Sequence, residues 1–492
     1  MNPFSKKLAT LLLATAVSAG TLPFAALNAQ AASPLTSQEI QQAVNELTQL
    51  RVLQGYPDHS MGVHQPVTRA ELAKMVVPTF GLERKTNQLP SFDDVKKDAW
   101  YYDFVTSAVG QNIIQADKGR FDPEGTVTAR ELEQIIAKAL KRDLKSVQYW
   151  MERVSATNGP LSRGEVAYLL NTAYQAIPSA TATITDIRPL NTITLIITFD
   201  APLTAEDEAF AVSKEQFAFS DGLALTNMPR LKTGSVSTYI VPTSPQKPGT
   251  IYTLTYKGKQ AGTFAGQGTK LNMTEARQVT NDTFELEALK SAGVTDYGYV
   301  ISAYSAGRGA NAFVLDENDA ADGKTYQIIS SMQARQVTIT PEGGQPIVAN
   351  YVPFTQSTDG KQEPKFRLPE GQTLEPGVRY TVTSEWAEIA NPNFVAEEIA
   401  PLQLSQAEAV SDTSITVTLS SDPGDELFSG RRVELTSPAG EKLVATYKYS
   451  SRKGATGVFD LQQNDTLKAG TTYTVTPVGD WAGNSQVELA VQ

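Results

Sequence analysis

The stretch VTRAEL at residues 67–72 returns as VTAREL at 127–132 and, in a looser form, as LSRGEV at 161–166. Each copy places a hydroxyl residue three positions before a glutamate, which is the pattern of a capping box at the start of a helix. The hydroxyl accepts a hydrogen bond from the third helical amide, and the glutamate reaches back to the amide of the capping residue. Apolar residues follow at helical spacing. The sequence therefore predicts three helices capped by Thr68 and Glu71, Thr128 and Glu131, and Ser162 and Glu165.

Each copy also carries an arginine that capping does not need. Arg69 and Arg163 directly follow the hydroxyl residue, whereas Arg130 comes one position later and so lies about 100° further around its helix. A cation in the first turn opposes the positive end of the helix dipole. One hypothesis is that an anion, a carboxylate or a phosphate, binds between the arginine and the free amides. The alternative is an arginine that is exposed to solvent or paired with a neighbouring acid.

The chain has two parts with different hydrophobic periods. Residues 35–178 carry apolar side chains at helical spacing, whereas the later part has alternating, β-branched runs bounded by Gly, Pro and Asp. The later part also repeats itself, because a turn glycine, a tyrosine three residues on and a strand recur around Tyr252, Tyr380 and Tyr473. We expect these tyrosines to be corner or core residues. The prediction is an all-α region followed by three tandem all-β sandwiches, at residues 180–275, 276–400 and 401–492.

Composition argues against several classes of function. The 492 residues include no cysteine and two histidines, so a zinc site and a Ser-His-Asp triad are not expected. The net charge of −11 comes from the β part, which argues against nucleic acid as a partner. The oxygen-rich loop DENDAADG at 316–323 misses the EF-hand spacing and is predicted to be a solvated acidic loop. We therefore expect no metal, no cofactor and no catalytic residue.

The N-terminus has the pattern of a secretory signal peptide. Lys6 and Lys7 precede an apolar run that ends at AQA, residues 29–31, so the signal peptide is predicted at residues 1–31. No later segment approaches the roughly 20 apolar residues that a transmembrane helix needs. The sequence therefore predicts an exported protein without a transmembrane segment.

The helical part resembles the S-layer homology (SLH) domains of Gram-positive bacterial surface proteins. In the second repeat the family motifs precede VTAREL in order: FDDV at 92–95, Trp100, NII at 112–114 and GRFDP at 119–123. The first repeat keeps VLQGYPD at 52–58, and the third keeps Trp150 and LSRGE but lacks the G-x-F-x-P loop. The resemblance implies an all-α pseudo-trimer of three repeats, at residues 32–83, 84–143 and a shortened 144–178.

The resemblance also implies a ligand. SLH domains bind secondary cell-wall polysaccharide non-covalently, and the pyruvylated sugar in it carries a ketal carboxylate, an anion that agrees with the unexplained arginines. Arg69 and Arg163 match the basic position of the family motif, and Arg130 matches it after a one-residue shift. Asp94 and Trp100 match the family's aspartate and tryptophan, and Tyr56 is expected to line the groove. The alternatives are a core position for Trp100 and packing within its own turn for Tyr56.

The β units resemble bacterial immunoglobulin-like domains, most clearly at TYTVTPVGDWAGN, residues 472–484. The leading hypothesis is a non-enzymatic surface protein of the S-layer or S-layer-like kind, located at the cell wall, whose β units project outward or self-assemble. One alternative is an SLH-anchored adhesin or receptor whose β units bind an external ligand. Another is a polysaccharide hydrolase, which requires two facing carboxylates in an aromatic cleft.

Overall fold

The computed structural model describes residues 34–83, 90–154, 159–298, 300, 314–321, 323–353, 361–422 and 428–492. The predicted signal peptide, residues 1–31, lies outside the described residues. The regular secondary structure of the described chain is helical as far as Gln175 and consists mainly of strands from Ile184 onward. The predicted order of a helical region followed by β domains is therefore confirmed.

The described part of the helical region contains six helices: α1 Ser37–Gln49, α2 Arg69–Thr79, α3 Tyr102–Gly110, α4 Ala129–Leu140, α5 Leu144–Met151 and α6 Arg163–Gln175. Helices α2, α4 and α6 begin at the three quoted motifs, and Thr68, Thr128 and Ser162 each accept the predicted hydrogen bond. Complete capping boxes form at Thr68 and Ser162. At Thr128 the predicted box is wrong in its second half, because the Glu131 carboxylate pairs with Arg69 of the first repeat instead.

A closed triangle of backbone hydrogen bonds joins the three motifs just before their caps. The amide of Val67 donates to the carbonyl of Leu161 at 3.2 Å, that of Val127 to Val67 at 3.0 Å, and that of Leu161 to Val127 at 2.9 Å. All three side chains are buried. Since each repeat both donates to one neighbour and accepts from the other, the triangle brings the starts of α2, α4 and α6 together around one point.

A single hydrophobic core fills the helical region. It takes buried side chains from all three repeats, among them Leu47, Val76, Phe121, Ile136 and Leu170. Burial of apolar surface contributes about 25 cal/mol per Å², and here that surface is buried between repeats as well as within them. We therefore expect the three repeats to fold as one unit.

The first β module, here module 1, has two sheets around its own core. One sheet has the order β1-β2-β5-β4 and the other the order β3-β6-β7. Two short helices precede β3: α7 Ala205–Glu208 and α8 Phe210–Gln216. The strands are β1 Ile184–Asn191, β2 Thr194–Phe199, β3 Phe217–Phe219, β4 Arg230–Leu231, β5 Thr238–Pro242, β6 Ile251–Tyr256 and β7 Lys259–Ala265.

Module 2 is built on an eight-stranded sheet with the order β20-β8-β9-β18-β16-β15-β19-β21. Strands β10 and β17, β11 and β14, and β12 and β13 form three additional pairs. The predicted boundary between residues 275 and 276 is wrong, because it falls inside β8, which pairs with β9 and β20 of this module. The strands are β8 Leu271–Gln278, β9 Thr283–Leu286, β10 Ala288–Leu289, β11 Val294–Asp296, β12 Ala320–Ala321, β13 Lys324–Thr325, β14 Gln327–Ile329, β15 Gln336–Pro341, β16 Ile347–Tyr351, β17 Lys361–Gln362, β18 Lys365–Arg367, β19 Arg379–Thr383, β20 Ala387–Asn391 and β21 Asn393–Val395.

Module 3 is one seven-stranded sheet with the order β22-β23-β26-β25-β24-β27-β28. The sheet curls until β22 lies beside β28, which gives a barrel-like form rather than the two separate sheets that were predicted. Its aromatic core includes Phe428, Phe459 and Trp481. The strands are β22 Leu404–Ala409, β23 Ser414–Leu419, β24 Arg432–Thr436, β25 Lys442–Tyr447, β26 Thr456–Leu461, β27 Thr472–Pro477 and β28 Val487–Ala490.

The recurrent tyrosine has the same place in each module. Tyr252, Tyr380 and Tyr473 are buried, and each hydroxyl accepts a hydrogen bond from the backbone amide five residues earlier, at 2.9, 2.9 and 3.1 Å. This geometry ties the turn before the strand to the core beneath it. The prediction that these tyrosines are corner or core residues is confirmed.

The prediction that the acidic loop after residue 315 is simply solvated is wrong, because one of its carboxylates is buried. Asp319 is buried and pairs with Lys232 at 2.6 Å and with Arg188 at 3.1 Å, both from module 1. A buried carboxylate is tolerated where cations compensate its charge. Among the described residues, no group of acidic or histidine side chains could hold a metal ion.

Candidate functional site

The side chain of Arg69 leaves the start of α2 and crosses into the second repeat. Its Nε donates to the Phe121 carbonyl and its Nη2 to the Gln115 carbonyl, both at 2.7 Å. The guanidinium lies 4.8 Å from the centre of the Phe121 ring, and Nη1 pairs with the Glu131 carboxylate. Burial lowers the pKa of Arg69, while the charges of Asp122 and Asp94 oppose that change. Arg69 therefore joins the first repeat to the second.

Arg163 of the third repeat makes a similar set of contacts with the first repeat, although its buried Nε has no hydrogen-bond partner. Its Nη2 donates to the Gln54 carbonyl at 2.8 Å, its Nη1 lies 3.4 Å from Glu71, and its guanidinium lies 4.9 Å from the centre of the Tyr56 ring. Arg163 is only 6% exposed. Each of the two arginines thus combines an aromatic ring, a glutamine carbonyl and the motif glutamate of the neighbouring repeat.

The amides of the first helical turn are also occupied at these two sites. The amides of Arg69 and Ala70 donate to the carbonyls of Gly125 and Pro123, and that of Arg163 donates to Gln65. The hypothesis of an anion between the arginine and free amides is therefore wrong for α2 and α6. Pairing of the arginine with a neighbouring acid, the alternative interpretation, describes both sites.

Arg130 differs from the other two arginines because it is exposed. Its one-residue shift turns the side chain away from the position that Arg69 and Arg163 share. It lines a cavity of about 290 Å³ that lies beside Arg69, between the first and second repeats. The lining residues are Arg69, Ile113, Gln115, Thr128, Arg130, Glu131, Gln134, Ile135 and Lys138.

The charge of this cavity, here called the basic cavity, is positive. Arg69, Arg130 and Lys138 carry three positive charges against the one negative charge of Glu131, which already pairs with Arg69. Two isoleucines line the cavity with apolar surface, and two glutamine amides can exchange hydrogen bonds with hydroxyl groups. The arrangement can bind a small polar molecule that carries a negative charge.

The other predicted site residues lie in three different surroundings. Asp94 accepts hydrogen bonds from the amides of Phe121 and Asp122, at 2.9 and 2.7 Å, and so fixes the loop under Arg69. Burial opposes ionisation of Asp94, but these two hydrogen bonds outweigh it and hold its pKa below the usual value. Tyr56 lies under Arg163 and donates to Glu71 at 2.8 Å, so it packs between repeats.

Trp100 is 57% exposed, so the alternative of a core position is wrong. Its ring meets Tyr101 edge to face, and the Lys74 ammonium lies 5.6 Å from the ring centre. An exposed indole of this kind offers an apolar face to a sugar ring. The structure thus brings Arg69 and Arg130 to one cavity and places Arg163 with Tyr56 at another interface.

Sequence reasoning missed the two isoleucines of the basic cavity and three of its polar residues, Gln115, Gln134 and Lys138. A signal was present, because Arg130, Gln134 and Lys138 follow one another at intervals of four and so share one face of α4. Gln115 gave no such signal because it lies in a loop, where spacing along the sequence does not show which residues share a face. Its carbonyl accepts from Arg69, and the residue lines the cavity.

Comparison with known proteins places this region in a family. The model of the S-layer homology domain matches residues 36–73 and 91–128. The Middle cell wall protein of Brevibacillus brevis is 28% identical over 53% of this chain and 27% of its own length. The Surface layer protein of Brevibacillus choshinensis is 31% identical over 27% of this chain and 12% of its own. The N-terminal region therefore contains SLH domains.

Two further matches carry less weight. An amylopullulanase of Thermoanaerobacterium thermosulfurigenes is 26% identical over 23% of this chain and 6% of the enzyme. Domains 1–6 of the surface layer protein SbsC cover 92% of this chain and 73% of that chain at 13% identity, with a TM-score of 0.15, too low to support an argument about the fold. The chain spans about a quarter or less of the length of the sequence relatives named above.

The family match and the relatives imply a location at the cell surface. Within the residues that the structure describes, every helix is too short or too polar to cross a membrane.

Proposed function

We propose that the helical region is a pseudo-threefold anchor that binds pyruvylated secondary cell-wall polysaccharide non-covalently, and that the β modules form the body of a non-enzymatic S-layer or S-layer-like protein. The observation that carries the proposal is the basic cavity between the first and second repeats, with three cations and one carboxylate. The closed hydrogen-bond triangle supports the pseudo-threefold, because each repeat contacts the next in the same way.

The ligand fits the cavity by its chemistry. A pyruvyl ketal gives a sugar a carboxylate, and a carboxylate is best bound by a guanidinium fork. Because Arg69 already pairs with Glu131, the groups assigned to the ligand carboxylate are Arg130 and Lys138. The isoleucines pack against the sugar ring, and the glutamine amides bind its hydroxyl groups.

The interface around Arg163 has a different role in this proposal. Its guanidinium is buried, lies over Tyr56 and already has carbonyl and carboxylate partners. A ligand carboxylate would have to displace these contacts. We therefore assign polysaccharide binding to the basic cavity and interface stabilisation to Arg163 and Tyr56.

The alternative of an adhesin requires a continuous apolar surface on the β modules. In the described parts of these modules, the large apolar side chains that are exposed lie on four different elements and in two loops: Phe210, Ile251, Val348, Val395, Val410 and Tyr449. No observation therefore favours the adhesin over an anchored structural protein. The hydrolase alternative has no support from the surface-layer relatives either.

Co-sedimentation with cell-wall sacculi tests the proposal. We expect the Arg130→Glu, Lys138→Glu double variant to lose at least about tenfold in affinity, since two attractive contacts with an anion become repulsive. The Arg51→Glu, Lys141→Glu double variant is the matched control, because both residues are exposed, lie just beyond α1 and α4 and are outside the cavity, and the change in net charge is the same. Removal of the pyruvyl groups from the sacculi should weaken the wild type to the same extent.

Two results would contradict this assignment. Undiminished binding to sacculi that lack the secondary polymer would show that the anchor binds peptidoglycan itself. An equal loss in the Arg51→Glu, Lys141→Glu control would show that the effect comes from overall charge and not from the cavity.

A further inference from the structure

The third repeat, together with Arg142 at the end of the second, contacts module 1. The contact is made to the loop between β4 and β5, residues 232–237, here called the docking loop. Trp150, in the last turn of α5, is buried and donates from its indole nitrogen to the Gly234 carbonyl at 2.6 Å. In return, the Gly234 amide donates to the Ser146 hydroxyl at 3.2 Å.

Arg142 completes the contact from the residue stretch just before α5. Its guanidinium donates to the carbonyls of Ser235 and Val236 and lies 4.7 Å from the centre of the Trp150 ring. The Val236 side chain packs against the core of the helical region. Helix α5 of the third repeat and Arg142 just before it therefore hold three consecutive residues of the docking loop, 234–236.

The docking loop fits only without a side chain at position 234. Gly234 has a φ of +75°, and a Cβ there would lie 2.8 Å from the Tyr149 ring and would overlap the Val314 side chain. Gly222, in the same module, has the same φ of +75° but no atom within 4 Å of a Cβ position. An alanine at either position strains the backbone in the same way, but only an alanine at position 234 also meets neighbouring side chains. A comparison of the two substitutions therefore distinguishes backbone strain from the loss of close contact between modules.

The buried guanidinium of Arg142 makes this contact depend on the orientation of module 1. Removing Arg142 from water costs free energy, and its burial lowers the pKa of the group. The cost is offset only where both carbonyls lie within reach, whereas the apolar contacts of Tyr149, Trp150 and Val236 would tolerate a range of orientations. Arg142 therefore selects one orientation of module 1 on the helical region.

The same device recurs at the other two junctions. Between modules 1 and 2, buried Arg335 donates to the Thr243 carbonyl at 2.7 Å and to the Ser331 carbonyl at 2.9 Å. Burial lowers the pKa of Arg335 to about 9, which leaves it protonated at neutral pH.

Between modules 2 and 3, Arg431 makes a two-point contact with Asp282, and Arg367 donates to the Ser429 carbonyl at 2.6 Å.

We propose that the third repeat serves as the seat of module 1, and that the arginine contacts at all three junctions make the chain one stiff strut rather than a string of mobile domains. Domains in one chain move relative to each other by default unless their interface prevents it. In this chain each junction is fixed by directional hydrogen bonds in addition to apolar contact. The direction of module 3 is then set by the orientation of the helical region.

Distance measurements by double electron–electron resonance in the full chain test two junctions of the strut: the one between the helical region and module 1, and the one between modules 2 and 3. The protein has no cysteine, so spin labels attach only where cysteines are introduced. One pair replaces exposed Gln49 and Lys259 and spans the seat, and a second pair replaces exposed Glu388 and Val410 and spans modules 2 and 3. We expect one narrow distance distribution for each pair in the otherwise unchanged protein.

Gly234→Ala should broaden the distance distribution of the first pair at least about twofold. The added Cβ pushes the docking loop away from the third repeat, and module 1 then regains ordinary interdomain motion. The same variant should leave the second pair unchanged, and Gly222→Ala should leave both pairs unchanged. Arg142→Ala is a second variant that removes the selected orientation without adding a side chain. Circular dichroism confirms that each variant has folded.

A broad distribution for the first pair in the unchanged protein would overturn the proposal. So would a narrow distribution that persists in folded Gly234→Ala and Arg142→Ala, because the docking contacts would then not set the orientation.

Discussion

At the scale of single residues, the arginines of the three motifs have two roles although their sequence contexts look alike. Arg69 and Arg163 each bind the neighbouring repeat through a ring, a carbonyl and a glutamate. Arg130 is exposed at the basic cavity. One residue of displacement along the helix accounts for the difference, since it turns a side chain by about 100°.

Replacement of the two buried arginines should therefore destabilise the helical region. Arg69→Ala removes two hydrogen bonds to carbonyls, a cation–π contact and an ion pair, so we expect a loss of about 2–4 kcal/mol in the free energy of unfolding. Arg163→Ala should behave in the same way. Arg130→Ala should leave stability within about 0.5 kcal/mol, as is usual for exposed residues.

Thermal denaturation followed by circular dichroism at helical wavelengths measures these differences. If the arginines served only a ligand, Arg69→Ala and Arg163→Ala would weaken wall binding at an unchanged melting temperature. That outcome would contradict the structural role that their contacts indicate, which is to join neighbouring repeats.

Asp282 provides a test by pH at the junction of modules 2 and 3. Burial would raise its pKa, but hydrogen bonding and charge from Arg431 outweigh burial and hold the pKa at about 2. Because the folded-state pKa lies below the unfolded value, the contact stabilises the protein fully above about pH 4, and this contribution is lost as the pH falls from about 4 towards 2. The contribution is about 2 kcal/mol.

Urea titrations of the wild type and Asp282→Asn, followed by tryptophan fluorescence, check this expectation. The wild type should be the more stable at pH 7, and the difference should shrink as the pH approaches 2. A difference that stays constant between pH 7 and pH 2.5 would show that the carboxylate charge contributes nothing at this junction.

At the scale of elements, the sequence predicted those features that depend on local chemistry. The starts of α2, α4 and α6 follow from hydroxyl residues that cap the next amides, and the tyrosine corners follow from a repeated turn, tyrosine and strand. Alternating burial in β23 and over residues 472–476 of β27 likewise matches alternation in their sequences. Each of these signals lies within a stretch of a few residues.

The elements that the sequence did not predict depend on contacts between distant residues. The boundary of module 2 was misplaced because β8 pairs in parallel with β20, more than a hundred residues later. The incomplete box at Thr128 was missed because Glu131 pairs with Arg69 of another repeat. Two separate sheets were expected in module 3, but only pairing around the whole module shows that its strands form one curled sheet.

The candidate site was only half predictable for the same reason. Arg69 and Arg130 were singled out by a local argument about the helix dipole. The cavity that they share needs Ile113 and Gln115 from the preceding loop, and only the folded chain brings that loop to α4. Trp150 was recognised as a family residue, yet its hydrogen bond to Gly234 depends on a module that begins after it.

At the scale of the whole molecule, the shared core and the hydrogen-bond triangle predict that the helical region unfolds as a single cooperative unit. Leu161 is a suitable probe because it is 2% exposed, belongs to the third repeat and contributes two of the three hydrogen bonds of the triangle. Leu161→Ala removes buried apolar volume at an expected cost of about 2–4 kcal/mol. Hydrogen exchange reports stability segment by segment. We expect the protection of backbone amides in α1, α2, α4 and α6 to fall together by the same factor, at least about thirtyfold. The amides of β27 in module 3 should keep their protection. If protection fell in α6 alone, the three repeats would be independent units, and the triangle would be a consequence of their packing rather than a cause of their cooperativity.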